Sequence, residues 1–200
     1  MVPSLLIKKD NFLSSLSENK KKLRKEYQRK RNAFVGQLDA ATRNLAFRRP
    51  PSPLMRLIEQ SEIIALYHSI GSEAPTTKLT EYLLEIGKII CFPIVQGNTS
   101  LDFRVVSNME LFENGFRDIP EPTQDNPTAK PDLIIAPMVA FDRSLMRLGQ
   151  GGGHYDRTFE KYPDAARIGM AWSVQECTNI PVEAHDVPLQ MIITECEIIQ

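Results

Sequence analysis

In "EIIALYHSIGSEAPTTKLTEYLLEIGKIICFPIV", residues 62–95, two β-rich apolar runs flank a segment with helical spacing. "EIIALYH" (62–68) and "KIICFPIV" (88–95) read as buried strands, and "TTKLTEYLLEIG" (76–87) as a helix that stops at Gly87. The same alternation continues outward. "LDFRVV" (101–106) predicts a shorter strand, and "PDLIIAPMVAFD" (131–142) holds the most apolar one, ending at Pro137. A short helix is expected from Asp156, then strands in "ARIGMAW" (166–172) and "QMIITECEII" (190–199). Strands alternating with helices, several apolar on both faces, argue a single α/β domain with a mostly parallel sheet and helices on both faces.

Upstream, "SLSENKKKLRKEYQRKRNAFVGQL" predicts a helix from Ser15, with Ser15 and Glu18 at capping-box spacing. At 100° per residue, Leu23, Tyr27 and Phe34 share one stripe, and Lys20, Arg24 and Arg31 cluster along its flank. A second helical stretch follows Leu38 and is interrupted by the prolines of "RRPPSP" (48–53). Residues 1–17 add little to this reading and are taken as an extension of one domain spanning 1–200.

The chain has 200 residues, 42% of them hydrophobic and 24% charged, which suits one domain with a real core. A net charge of −1 gives no global attraction to nucleic acid or anionic lipid. Three widely spaced cysteines without a CxxC pair indicate neither a disulfide framework nor a zinc site. With no apolar run of membrane-spanning length, a cytoplasmic protein acting on small molecules is expected, with no membrane or nucleic-acid partner and a monomer favoured.

The densest local signal is "RLGQGGGHYDR" (147–157), four glycines after a run of β-formers. It is not a P-loop, because no lysine and hydroxyl follow the glycines, and His154 stands where a dinucleotide fingerprint has its third glycine. A strand, a glycine turn beside Arg147 and a helix start would still cradle a phosphate with backbone N–H groups and the helix dipole. Taken alone, the cluster reads equally as a flexible turn. Arg147, His154, Tyr155, Asp156 and Arg157 add charge, a titratable ring and an aromatic face. Asp156 could hold Mg²⁺, and Asp186 is a candidate second carboxylate. On residue type alone, Lys20 and Arg24 could equally be a solvated helix face, Glu73 and Asp186 ordinary loop acids, Tyr67 and His68 the end of a buried strand, and Trp172 core.

The chain resembles the 5-formyltetrahydrofolate cyclo-ligase family. The resemblance rests on the glycine loop after Phe141-Asp142, on Lys20 and Arg24 at KxxxR spacing, and on Tyr67, Ser69 and Glu73. His185-Asp186, "IPEP" (119–122) and "DLIIAP" (132–137) extend it from about Lys20 onward. It implies a fold of the NagB/RpiA/CoA-transferase type. It also implies ATP- and Mg²⁺-dependent closure of 5-formyltetrahydrofolate to 5,10-methenyltetrahydrofolate. In that reaction ATP phosphorylates the formyl oxygen, nitrogen 10 attacks the activated carbon, and ADP and phosphate are released.

Carried over, Lys20 and Arg24 would meet the ATP phosphates with the run Arg147, Leu148, Gly149, Gln150, Gly151, Gly152, Gly153, His154 and Tyr155. Arg147 and Tyr155 would be catalytic. His68 and Glu73 would bind the folate together with Gln150, Gly151, Gly152, Gly153 and His154, and Asp156 and Asp186 would hold Mg²⁺. The family usually has glycine at Leu145, tyrosine at Gln150 and His154, and an acid near Gln190. Leucine is uncomfortable at positive φ, so Leu145 bears on the turn, while Gln150 and His154 lie in the expected substrate wall. A binding relative with altered or lost ligase activity is the alternative. A nucleic-acid-binding role for residues 20–31 is a third reading, which the apolar stripe opposes by docking that helix onto the domain.

Overall fold

A computed structural model describes residues 4–97, 99–107 and 112–200. Helix α1 (Ser4–Val35) comes first, then α2 (Ala40–Leu45) and α3 (Ser52–Gln60). Strand β1 (Ile63–Ala65), helix α4 (Thr77–Glu85) and strand β2 (Ile89–Ile94) form the first strand–helix–strand unit. Strands β3 (Asp102–Val105), β4 (Phe112–Asn114), β5 (Pro120–Pro122) and β6 (Thr128–Ala129) precede the buried β7 (Leu133–Ala136). A small hairpin of β8 (Ala140–Phe141) and β9 (Arg147–Leu148) leads into α5 (His154–Lys161), and β10 (Ala166–Met170), β11 (Met191–Ile193) and β12 (Ile198–Ile199) complete the order.

The main sheet has the order β12-β11-β10-β7-β1-β2-β3-β6. Its centre, β11 to β2, is parallel, and both edges are joined by antiparallel pairs. Alternation along the strands assigns the two faces. Ile64, Ile90, Leu133 and Ile135 pack with Leu54 and Ile58 of α3 and Leu79 and Leu83 of α4. Their neighbours Ala65, Cys91, Ile134 and Ala136 pack on the opposite face with Phe159 of α5. Helices therefore cover both faces, as the doubly apolar strands predict. Trp172 is core, enclosed by Phe34 and Phe47 and 1% exposed.

Several boundaries differ from the sequence reading; β1, for one, ends at Ala65 and leaves Tyr67 and His68 in the segment that follows. The first helix starts at Ser4, so Ser15 lies well inside it and caps nothing. Residues 190–199 are two antiparallel strands, because Thr194 Oγ1 accepts from the backbone N–H groups of Cys196 and Glu197 and turns the chain. Helix α5 begins at His154 and not at Asp156, with Gly153 at its N-cap in the left-handed region (φ 64°). Residues 1–3 of the expected extension lie outside the described residues.

The stripe on α1 docks as its spacing predicts. Tyr27 is buried and Leu23 half-buried against Val139, Ala140, Met146 and Leu148 of the hairpin region, and Phe34 reaches Trp172. This lays α1 beside the segments that leave the carboxyl ends of the parallel strands.

Candidate functional site

The chain leaves β1 through α4 toward β2 and leaves β7 through α5 toward β10, on opposite sides. Such a switch point opens a crevice at the carboxyl edge of the sheet. Here the crevice is a cleft of about 440 Å³ bounded by α1, the residues following β1, β2 and β7, and the loop 149–153. That volume falls in the range of small-molecule sites, about 300–1,000 Å³. All the candidate residues line it: Lys20, Arg24, His68, Glu73, Arg147 to Asp156 and Asp186.

One end is basic and tightly paired. Lys20 is 5% exposed, so it is no solvated face; its Nζ lies 2.6 Å from both Glu183 Oε2 and Asp186 Oδ2. Arg24 is half-buried and donates from Nε to the Gly149 carbonyl at 2.9 Å, tying α1 to the glycine loop. A Cβ on Gly151 would come within 3.3 Å of the Arg24 guanidinium, and the φ of 102° there is itself unsuited to other residues. Arg147 is buried under the loop, with NH2 donating to Asp156 Oδ1 at 2.9 Å and the guanidinium 5.5 Å from the Tyr155 ring. Its Nε is buried without a hydrogen-bond partner. Burial lowers the pKa of this guanidinium, with Asp156 opposing. Arg157 reaches back from α5 to the Gly152 carbonyl at 2.5 Å.

The two candidate metal ligands fit a hard cation. Asp156 is engaged through Oδ1, by Arg147 and by the Val187 N–H at 3.4 Å. Asp186 is engaged through Oδ2, by Lys20 and by the Glu183 N–H at 2.8 Å. Each keeps a second carboxylate oxygen, and one or two carboxylates beside substrate phosphates are what Mg²⁺ takes. Donor atoms of Glu183, His185 and Asp186 also lie within 4.8 Å of one another.

The other end is apolar around Glu73, and Glu121 also lies on the cleft wall. Glu73 is 7% exposed; its Oε2 accepts from the Ile70 N–H at 3.2 Å, and its Oε1 is 4.0 Å from Arg31. Burial raises its pKa, opposed by the Ile70 N–H, Arg31 and the Gln150 amide. His68 is half-buried with its ring 5.6 Å from Phe112, and burial lowers its pKa. Tyr155 stands between the ends, its phenol pushed above the ordinary range by burial and then by Glu73. Tyr67, buried on the cleft wall just past the end of β1, donates to the Ala74 carbonyl at 2.6 Å.

The four departures each have a place. Leu145 does occupy a left-handed turn (φ 65°), and Asp142 holds that turn by accepting from the Ser144, Met146 and Ile180 N–H groups. Gln150 accepts from Gln28 of α1 at 2.8 Å while its amide reaches Glu73. His154 Nδ1 lies 2.9 Å from the Thr99 carbonyl oxygen. Gln190 accepts from the Arg167 N–H outside the cleft. Sequence reasoning did not single out Glu183, Glu121 or Phe116 as cleft residues. The signal for Glu183 was its position three residues before Asp186; Phe116 and Glu121 lie in and beside a hairpin that apolar patterning did not predict.

A profile of the 5-formyltetrahydrofolate cyclo-ligase family matches residues 16–195. A protein of Haemophilus influenzae named 5-formyltetrahydrofolate cyclo-ligase is 35% identical over 146 residues, 68% of this chain and 78% of that one. One of the same name from Escherichia coli K12 is 32% identical over 169 residues, covering 80% and 87%. The solved structure of a 5,10-methenyltetrahydrofolate synthetase from Aquifex aeolicus superposes with a TM-score of 0.71 at 28% identity, covering 90% of this chain and 91% of that one. The glycine loop, the cleft at the switch point and a match over 180 residues agree: this chain belongs to the 5-formyltetrahydrofolate cyclo-ligase family.

Proposed function

We propose that the protein closes 5-formyltetrahydrofolate to 5,10-methenyltetrahydrofolate at the expense of ATP, with Mg²⁺ held by Asp156 and Asp186. The observation that carries this reading is the division of one cleft into a basic end and an acidic end with the glycine loop between them. A triphosphate suits Lys20, Arg24 and Arg147, and a donor-rich pterin edge suits Glu73. Mg²⁺ would neutralise phosphate charge at the basic end.

The formamide oxygen is a poor leaving group. Transfer of the γ-phosphoryl group to it releases ADP and makes phosphate the leaving group. The nitrogen 10 lone pair then attacks the formyl carbon, the carbon–oxygen bond breaks, phosphate departs and nitrogen 10 loses its proton. Phosphoryl transfer depends on positioning and charge neutralisation more than on a protein nucleophile. Arg147, with its partnerless Nε, is suited to meet the transferred group, and Tyr155 to orient the formyl oxygen beside it. Backbone N–H groups of residues 149–153 and the start of α5 complete the cradle.

Three free cysteines support a reducing, cytoplasmic setting as part of the same reading. No helix among the described residues is long and apolar enough to cross a membrane. Incubation with 5-formyltetrahydrofolate, ATP and Mg²⁺ tests the proposal: methenyltetrahydrofolate absorbance should rise only when all three are present. Absorbance that never rises, with the protein folded, removes the ligase reading.

A further inference from the structure

Arg31 has no part in the reaction described above, yet it is a guanidinium only 6% exposed. A buried cation is costly unless its surroundings hold it, so its contacts show what it is for. Its Nε donates to Ser72 Oγ at 3.0 Å, its NH1 donates to the Met138 carbonyl at 3.3 Å, and the same NH1 lies 4.0 Å from Glu73 Oε1. These three partners belong to the two segments that follow β1 and β7 and form the acidic end of the cleft.

Besides its own Ile70–Glu73 hydrogen bonds, the turn carrying Glu73 is fixed from outside. Ser72 Oγ donates to Asn32 Oδ1 of α1 at 2.5 Å, and the Ser72 carbonyl accepts from Trp172 Nε1 at 3.0 Å. Arg43 donates to the Gly71 carbonyl. The Met138 carbonyl also accepts from Gln175 Nε2 at 2.7 Å. Among the described residues, Arg31 alone hydrogen-bonds to both the Ser72–Glu73 turn and the Met138 segment. Its planar fork can do this where a point charge cannot.

We propose that Arg31 is a positioning residue for substrate recognition, fixing the Glu73 carboxylate and the segment after β7 to α1, the helix that also carries Lys20 and Arg24. This rests on the reading of Glu73 as the folate acceptor. The groups facing Glu73 are Arg31 from α1, the Ile70 N–H, the Gln150 amide from the glycine loop, and the phenols of Tyr67 and Tyr155. Arg31 is the cation among them, so its removal makes Glu73 easier to protonate as well as looser.

The test uses the full-length protein, calorimetry with 5-formyltetrahydrofolate and separately with ATP, and the emission of the single tryptophan, which is bonded to the turn. Arg31→Met should weaken reduced-folate binding roughly ten- to a hundredfold and leave ATP binding within about twofold. Its folate affinity should also fall as the pH is lowered from about 8 to 6, more steeply than in the wild type. Arg31→Lys keeps the charge without the fork, so it should retain the wild-type pH profile and lose less affinity. In both variants Trp172 emission should shift, without ligand, as the Ser72 carbonyl contact loosens.

Unchanged folate affinity, or equal loss for folate and ATP, overturns the assignment. If Arg31→Met does not fold, Arg31→Lys decides: weaker folate with unchanged ATP upholds it, and any other pair of affinities overturns it. Wild-type protein that binds no reduced folate refutes the folate reading itself, and the tryptophan arm then decides whether Arg31 fixes the turn.

Discussion

The two ends of the cleft solve opposite problems of burying charge. At the basic end Lys20 and Arg147 are each closed onto carboxylates at 2.6–2.9 Å, so charge is balanced before any ligand arrives. At the acidic end Glu73 is equally buried, but its nearest cation stands off at 4.0 Å, and burial dominates its pKa. Under the proposed function the first end would work by exchange, an incoming phosphate and cation taking over partners already present. The second end keeps a carboxylate under-compensated, so a donor-rich ligand completes it. A destabilised acid is a marker of function because packing alone would not retain it.

The sharpest way to break this contrast is at Arg147. Arg147→Met should lower kcat about 10²–10³-fold with folate affinity little changed. It also leaves Asp156 without its cation, and breaking such a buried pair costs about 3–5 kcal/mol of stability. Arg147→Met/Asp156→Leu should recover the melting temperature but not turnover. Turnover that recovers with stability would reduce Arg147 to a structural residue.

Glu73→Gln probes the other end and should give the opposite pattern. Folate affinity should fall by about 1.5–3 kcal/mol while ATP affinity holds. Stability should rise at neutral pH. The folded-state pKa of Glu73 is raised, so its protonated form favours the fold at low pH and that contribution is lost as pH rises through the raised pKa. Removing the charge removes the loss. Thermal melts from about pH 5 to 8 check the sign: the two proteins should converge in acid and diverge toward neutrality. In the wild type, folate affinity should decline on acidification earlier than an ordinary carboxylate would allow, and ATP affinity should not follow it.

A smaller effect on turnover is expected of Asp156→Asn, which keeps an oxygen for Arg147 but removes the charge that balances it. It weakens one of two carboxylates without emptying the site, so the Mg²⁺ concentration needed for half-maximal rate should rise with folate affinity unchanged. An unchanged Mg²⁺ requirement would take Asp156 out of the metal set. The smallest effect belongs to Leu145→Gly. The left-handed conformation costs a leucine about 1–2 kcal/mol, but Leu145 also packs against the core, so the two changes should nearly cancel. A melting temperature within a few degrees of wild type, with unaltered kinetics, is the expected result.

What was legible in the chain follows from locality. Doubly apolar runs such as "LIIA" in β7 and "IICFPI" in β2 disclose a sheet covered on both faces, because each residue's environment repeats along the strand. The glycine loop was visible because backbone geometry is written in residue type. The break inside residues 190–199 was hidden, since Thr194 makes its turn with a side chain that also favours strands. The start of α1 at Ser4 is not legible, because a capping pattern can arise by chance inside a longer helix. Arg31 was seen on the flank of the stripe, but its partners Ser72 and Met138 lie 41 and 107 residues away, and no local pattern announces them.

The Lys20 pairing has a consequence for the order in which the protein is made. Glu183 and Asp186 follow Lys20 by 163 and 166 residues, so the first long helix is synthesised well before the acids that neutralise it. At about 5–20 residues per second, that interval is on the order of 10–30 s. For most of it α1 carries Leu23, Tyr27 and Phe34 uncovered, until the β8–β9 hairpin and then Trp172 are made. The central strands β1, β2 and β7 can assemble meanwhile, whereas the Lys20 end of the cleft closes last. A nascent chain halted before the hairpin would thus leave an apolar, basic helix for chaperones to shield.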